Sequence, residues 1–164
     1  MPEMIKRSQM AEYINTTPKA QQPKWDRIGF GVEGKNTDYS PEFDERQFID
    51  ADAPDSSLKR YGHTSDFDII AAKDSPVFEF LDTLRVTRAT YGDAETQHVE
   101  VRLYEPIDGE ESTFAATLTN ISIAVNSIGD SAEDPLTLAT TANGKGDPVQ
   151  GKFNYTSKTF TPDE

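Results

Sequence analysis

The sequence predicts a mainly β fold, namely an antiparallel β-sandwich or barrel-like core with one flanking α-helix and a long extended loop. Apolar residues alternate with polar ones at the period of a half-buried strand, most clearly at Val99, Val101 and Leu103. Only one segment carries helical spacing. A chain of 164 residues, of which 35% are hydrophobic, suits one domain with a thin core.

The N-terminal residues 1–23 are expected to form an arm that precedes a β domain over residues 24–164. Trp25 is expected in a buried strand, and Ile28, Phe30 and Val32 alternate with small or polar neighbours as a strand would require. The stretch from Gly29 to Gly34 also reads G-x-G-x-x-G, a dinucleotide-binding pattern. The residues after it cannot carry the helix that such a site needs, so a strand is the better interpretation.

A long extended loop is predicted over about residues 36–66, where regular structure is hard to place. Loops of this length without a core of their own are uncommon in compact domains and are usually functional or disordered. Large apolar residues recur along it, and exposing them to solvent would be unfavourable. We therefore expect an inter-subunit loop, ordered by another copy or by a partner, with these residues as its contacts: Tyr39, Phe43, Phe48, Ile49 and Leu58.

The single helix is predicted over about residues 75–86. Ser75 is a suitable N-cap, Pro76 suits the first helical position, and Glu79 lies near the positive end of the helix dipole. An apolar stripe along one face predicts that the helix covers one face or end of the sheet; its residues are Val77, Phe80, Leu81 and Leu84.

The C-terminal half is predicted to be mostly antiparallel β. After the alternating strand at Val99, a second strand pair is expected from Thr113 to Ile128, with a bulge or bend near Thr119-Asn120 where the apolar phase jumps. A short strand at Leu136–Thr140, a turn around Gly144 and a last strand containing Phe153 and Tyr155 complete the prediction.

Composition and motifs exclude several functions. The formal charge of −13 argues against binding nucleic acid or an anionic membrane, and zero cysteines exclude thiolate chemistry. No secretory signal or spanning helix is predicted, so we expect a soluble product made in a cytoplasm. His63 and His98 share no motif, and the acidic stretch from Asp50 to Asp55 lacks the glycine and glutamate of a calcium loop. No catalytic residue, cofactor or metal site is predicted.

The order of short sequence pieces resembles the major tail (tail tube) proteins of long-tailed phages of Gram-positive bacteria and of related phage-tail-like bacteriocins. The resemblance covers about residues 24–155. Its pieces are Trp25-Asp26-Arg27-Ile28-Gly29-Phe30-Gly31, Tyr39-Ser40-Pro41-Glu42, Phe48-Ile49-Asp50, Tyr61-Gly62-His63-Thr64-Ser65, Asp74-Ser75-Pro76-Val77-Phe78, Tyr91-Gly92-Asp93-Ala94, Val99 to Tyr104, Asn126 to Asp130 and Gly151-Lys152-Phe153.

The resemblance implies a structural protein of the virion tail that is not an enzyme. Its copies would form stacked hexameric rings around a hollow tube, contact other tail proteins such as the tape measure and tail-end proteins, and let double-stranded DNA pass without specific binding. No membrane partner is implied. The candidate acidic lumen residues are Glu95, Glu100 and Glu105, although these acids could equally keep the outer surface soluble.

Two other functions stay open at this point. One is a monomeric β-sandwich binding module for a carbohydrate or cell-surface ligand, which would need an exposed aromatic platform that a buried Trp25 supplies poorly. The other is a small hydrolase, which the absence of a nucleophile motif disfavours.

Overall fold

The computed structural model describes the whole chain, residues 1–164, as ten β-strands and one α-helix. Helix α1 spans Pro76–Thr87. The strands are β1 (Met10–Asn15), β2 (Trp25–Arg27), β3 (Lys35–Asp38), β4 (Glu42–Arg46), β5 (Asp55–Arg60), β6 (Thr64–Ile70), β7 (Glu95–Pro106), β8 (Thr113–Gly129), β9 (Thr137–Asn154) and β10 (Thr159–Pro162). The mainly β class and the single helix are confirmed.

Eight strands form one antiparallel sheet in the order β2-β1-β7-β8-β9-β6-β3, with β10 also paired to β9. The sheet curls until β3 approaches β1, where Lys35 Nζ lies 2.6 Å from Glu12 Oε1. The guanidinium of Arg7, just before β1, also donates to the Lys35 carbonyl oxygen at 3.4 Å. The core is therefore barrel-like, as predicted.

Helix α1 begins as the local sequence predicts, because the Ser75 side chain accepts a hydrogen bond from the Phe78 backbone N–H and proline occupies the first turn. It packs Val77 and Leu81 onto the concave side of the sheet, against Ile121 and Ile123. We call this the helix-side cluster; its buried members are Ile14, Phe67, Ile69, Val77, Leu81, Ile121, Ile123, Leu138 and Ala142.

A second cluster occupies the other face of the same strands, because successive residues of a strand point to opposite faces. We call it the β10-side cluster, since Phe160 of β10 packs against it; its buried members are Ala11, Tyr13, Trp25, Val99, Val101, Ala116 and Phe153. Trp25 is buried in a strand as predicted, and its ring meets that of Phe153 edge-on at 6.4 Å. The sheet is thus covered on both sides.

The phase jump in β8 has a different cause from the one expected. Phe114, Ala116 and Leu118 pack toward the β10-side cluster and Ile121 toward the helix-side cluster, while β8 keeps regular register with β7 through this point. The register shift near Thr119 is real, but the extra residues lie in β9. Lys145 pairs with Asn120 and Val149 with Leu118, so three β9 residues oppose one in β8.

Four expectations about local structure are wrong. Residues 137–154 form one continuous strand with no turn at Gly144, because Gly144 pairs with Ile121 of β8 and the bulge after Lys145 contains Gly146. Tyr155 follows the last residue of that strand. Residues 28–34 form a turn around Gly31, whose φ is +78°, and not a strand. Residues 10–15, expected in the N-terminal arm, form β1 between β2 and β7 because Ala11, Tyr13 and Ile14 are core residues.

The predicted loop over residues 36–66 is also corrected, since it contains regular structure. Strands β4 and β5 pair with each other in a separate two-stranded sheet, and β3 and β6 pair beneath them. The alternating pattern is weak there because only Phe43 and Leu58 are apolar within β4 and β5. No helix in the structure is long and apolar enough to cross a membrane.

Candidate functional site

The most unusual surface feature is a hairpin formed by β4, β5 and the turn between them, residues 42–60, which we call the projecting hairpin. It leaves the sheet where β3 ends, and the Gly62 backbone N–H donates to the Tyr39 carbonyl oxygen at 2.7 Å to close its base. Above that base no residue of β4 or β5 is buried. A two-stranded hairpin of this kind is marginally stable on its own in water.

Exposed apolar side chains are spread along the projecting hairpin and its base. Phe43 and Leu58 face each other across the two strands and are 58% and 43% exposed. Phe48 and Ile49 at the tip are 53% and 108% exposed, and Tyr39 at the base is 48% exposed. The chain by itself therefore leaves all five residues of the predicted inter-subunit loop at its surface, and their contact with another copy stays a prediction.

The tip of the projecting hairpin is an ordered turn. The Ala51 backbone N–H donates to the Phe48 carbonyl oxygen at 3.2 Å, and the Gln47 side-chain amide donates to the Ala51 carbonyl oxygen at 2.7 Å. These hydrogen bonds use the polar groups of the turn internally, so Phe48 and Ile49 are presented to the exterior as an apolar knob.

A buried polar cluster that no sequence motif predicts lies under the base of the hairpin. Glu12 of β1 and Lys35 of β3 form an ion pair at 2.6 Å with side chains only 4% and 3% exposed. Arg7 reaches the other carboxylate oxygen of Glu12 at 2.7 Å. His98 Nε2 lies 3.2 Å from Glu12 Oε1 without hydrogen-bond alignment. The pair joins β1 and β3, which are not neighbours in the sheet order.

Charges and burial in this cluster shift two pKa values. Burial acts to raise the pKa of Glu12, but the His98 side chain and the Lys35 ammonium outweigh it and hold that pKa well below its usual range. Burial, reinforced by His98 and Lys35, lowers the pKa of His63, whose ring lies 6.3 Å from that of His98. The fold thus brings the two histidines together although their sequence positions gave no reason to pair them.

His63 connects this cluster to the projecting hairpin. Its ring meets Tyr39 edge-on at 6.0 Å, and its carbonyl oxygen accepts a hydrogen bond from the Gly144 backbone N–H at 2.7 Å. A Cβ on Gly144 would lie 2.6 Å from the Cβ of His63, so only glycine fits at this position. The base of the hairpin is therefore anchored to β9.

The three candidate lumen acids do not share one surface. Glu95 and Glu100 have opposite parity along β7, so their side chains lie on opposite faces of that strand. Glu95 pairs with Lys145 at 2.6 Å. Glu100 and Glu105 line the same groove, with Arg102 between them at 4.0 and 2.9 Å. An inward orientation remains a prediction for each of them, and no group of three or more potential ligand side chains is arranged to hold a metal ion.

Comparison by sequence finds no match, since no family model and no curated protein matches this chain. Comparison by fold finds similar chains in phage-tail-like assemblies, so the chain has a tail-tube-like fold. The chain is similar to one from the tail of an empty GTA particle with C6 symmetry, at a TM-score of 0.63 and 10% identity over 96% of this chain and 99% of the other.

A second similar structure belongs to the PVC sheath-tube complex of an extracellular contractile injection system in the extended state. Its TM-score is 0.53, with 9% identity over 90% of each chain. Both likenesses extend over nearly the full chain, and they concern the fold. An origin in a phage of Gram-positive bacteria stays a prediction.

Proposed function

We propose that this protein is a structural subunit of a phage-tail-like tube, in which copies assemble into stacked hexameric rings. The observation that supports it best is the projecting hairpin, which exposes apolar side chains along its whole length and lacks a covering surface in its own subunit. Burying that surface against further copies supplies the hydrophobic driving force for assembly, about 25 cal/mol per Å² of apolar area. The tail-tube-like fold is consistent with the same role.

The tube would let double-stranded DNA pass without binding it. Six copies, each with a formal charge of −13, place −78 on one ring. Wherever part of that charge faces inward, phosphates are repelled from the wall, whereas basic side chains would bind them and slow their passage. Glu100 and Glu105 are the candidates that share one groove. The other partners would be the tape measure and tail-end proteins, and the protein would reside in the virion tail.

Electron microscopy of the purified protein, combined with sedimentation velocity over a wide concentration range, tests the proposal. We expect rings or tubes whose formation depends on concentration. A Phe43→Ser variant should assemble only at higher concentration, because it removes apolar surface from the projecting hairpin. Leu136→Ser is the matched control, since Leu136 is 48% exposed and lies outside the hairpin.

Strictly monomeric particles at every concentration would contradict the proposal. Binding to a glycan array without assembly would instead support a monomeric carbohydrate-binding module.

A further inference from the structure

A groove between the end of α1 and the second half of β8 is suited to bind exposed apolar side chains of another chain. It has a volume of about 520 Å³, and six of its eleven lining residues are hydrophobic. Four other grooves on the surface are lined mainly by polar residues. The apolar floor contains Leu84, Val125 and Ile128, all partly exposed at the margin of the helix-side cluster.

The chain leaves this groove open for two structural reasons. Strand β7 begins at Glu95, which pairs with Ser122, so the rest of β8 has β9 on one side and no strand on the other. Helix α1 ends at Thr87, its C-cap residue Arg88 has a left-handed conformation with φ of 53°, and Ala89 and Thr90 after it line the groove without covering it. An uncovered strand edge beside apolar side chains is a surface that proteins normally protect.

We propose that this groove receives the tip of the projecting hairpin, residues 47–54, of a second copy. This inference rests on the proposed assembly and names the surface that accepts the hairpin. The tip offers Phe48 and Ile49 for the apolar floor. Its acids Asp50 and Asp52 form no ion pair within the subunit, and neither does Arg88 at the mouth of the groove. The two surfaces are complementary in both polarity and charge.

The tip reaches a neighbour and not its own groove. The hairpin leaves from β3 and β6 at one end of the sheet order, whereas the groove lies at β8, with β9 between β8 and β6. Both faces of the hairpin are exposed, so it does not fold back over its own subunit. A knob and a groove at different places on one subunit make a heterologous contact, which generates rings or open stacks of copies.

Cysteine crosslinking tests the contact directly, because the natural chain has no cysteine. We would combine Ile49→Cys with Ala89→Cys in one variant and with Ser127→Cys in another, assemble each, and oxidise it. A disulfide requires Cα atoms within about 7 Å, so covalent ladders on a non-reducing gel report tip-to-groove contact between copies. The control combines Ile49→Cys with Ser157→Cys, an exposed position outside the groove, and should stay monomeric on the gel.

Charge reversal provides a second readout on the same contact. Arg88→Glu should raise the concentration needed for assembly about tenfold, because like charges then meet at the groove. Adding Asp50→Lys to this variant should restore assembly at the original concentration.

The outcomes distinguish the two proposals. Rings or tubes that form without ladders in either groove variant, and without an effect of Arg88→Glu, would overturn the groove inference and leave the tube subunit standing. Failure of the natural protein to assemble would overturn both.

Discussion

Breaking the buried ion pair between Glu12 and Lys35 should destabilise the protein strongly. Lys35→Met replaces the ammonium 2.6 Å from Glu12 with an apolar side chain of similar length and leaves a carboxylate that is only 4% exposed. Removing one partner of a buried pair costs about 3–5 kcal/mol. Arg7 remains 2.7 Å from Glu12 and is 55% exposed, which lowers the expected loss to about 3 kcal/mol.

The measurement is urea unfolding of the monomeric protein at pH 7, followed by tryptophan fluorescence of the buried Trp25. For a chain of this size the loss corresponds to a fall in Tm of about 6–12 °C. Lys59→Met is the matched control, because it breaks an exposed ion pair with Glu42 at 3.4 Å and should cost less than about 1 kcal/mol.

The pH dependence gives an independent check. The pKa of Glu12 is lowered in the folded state, so its stabilising contribution is complete above the unfolded value of 4.5 and is lost as the pH falls through the folded value. Without Lys35 the pKa of Glu12 in the folded state rises. Acidification therefore lowers the unfolding free energy of the variant less than that of the natural protein. The difference in unfolding free energy between the natural protein and Lys35→Met should therefore narrow below about pH 4.5. Equal effects of Lys35→Met and Lys59→Met at pH 7 would refute the reasoning.

Three further predictions concern packing and protonation. Leu81→Ala should lower the unfolding free energy in urea by about 2–5 kcal/mol because Leu81 is fully buried between the helix and the sheet. Val86→Ala, on the exposed side of the helix, should change that free energy by no more than about 0.5 kcal/mol. Gly144→Ala should lower the Tm by forcing its new Cβ against His63, whereas Gly129→Ala has open space and should be nearly neutral; equal shifts would contradict the packing argument. Because its folded pKa is lowered, His63 should make the protein less stable as the pH falls below about 6.5, and a His63→Gln variant that keeps the same pH profile would disprove this.

The parts of the fold that were predictable are those with local sequence signals. Ser75-Pro76 and the apolar stripe fix the helix, and the Val99–Leu103 alternation fixes β7, since each signal lies within a few residues. β9 was not predicted as one strand because its middle, from Gly144 to Val149, combines two glycines and a proline that resemble a turn. Pairing with β8 at both ends of this middle segment keeps it part of the strand.

The candidate site was predictable in part for the same reason. Exposed apolar residues such as Phe43 and Ile49 stood out because they lie in an acidic, polar segment. The ion pair between Glu12 and Lys35 could not be found, since 23 residues separate the partners and neither belongs to a motif. Its existence depends on sheet curvature, which arises from the bulge in β9 and from the pairing of distant strands.

The division of the interior into two apolar clusters on opposite faces of one sheet has a consequence for engineering. Neighbouring strand residues such as Ile14 and Tyr13 belong to different clusters. Each cluster can therefore be redesigned as a separate volume, with the hydrogen-bonded backbone acting as a partition between them. Sets of substitutions that stabilise one compartment should combine additively with sets chosen for the other.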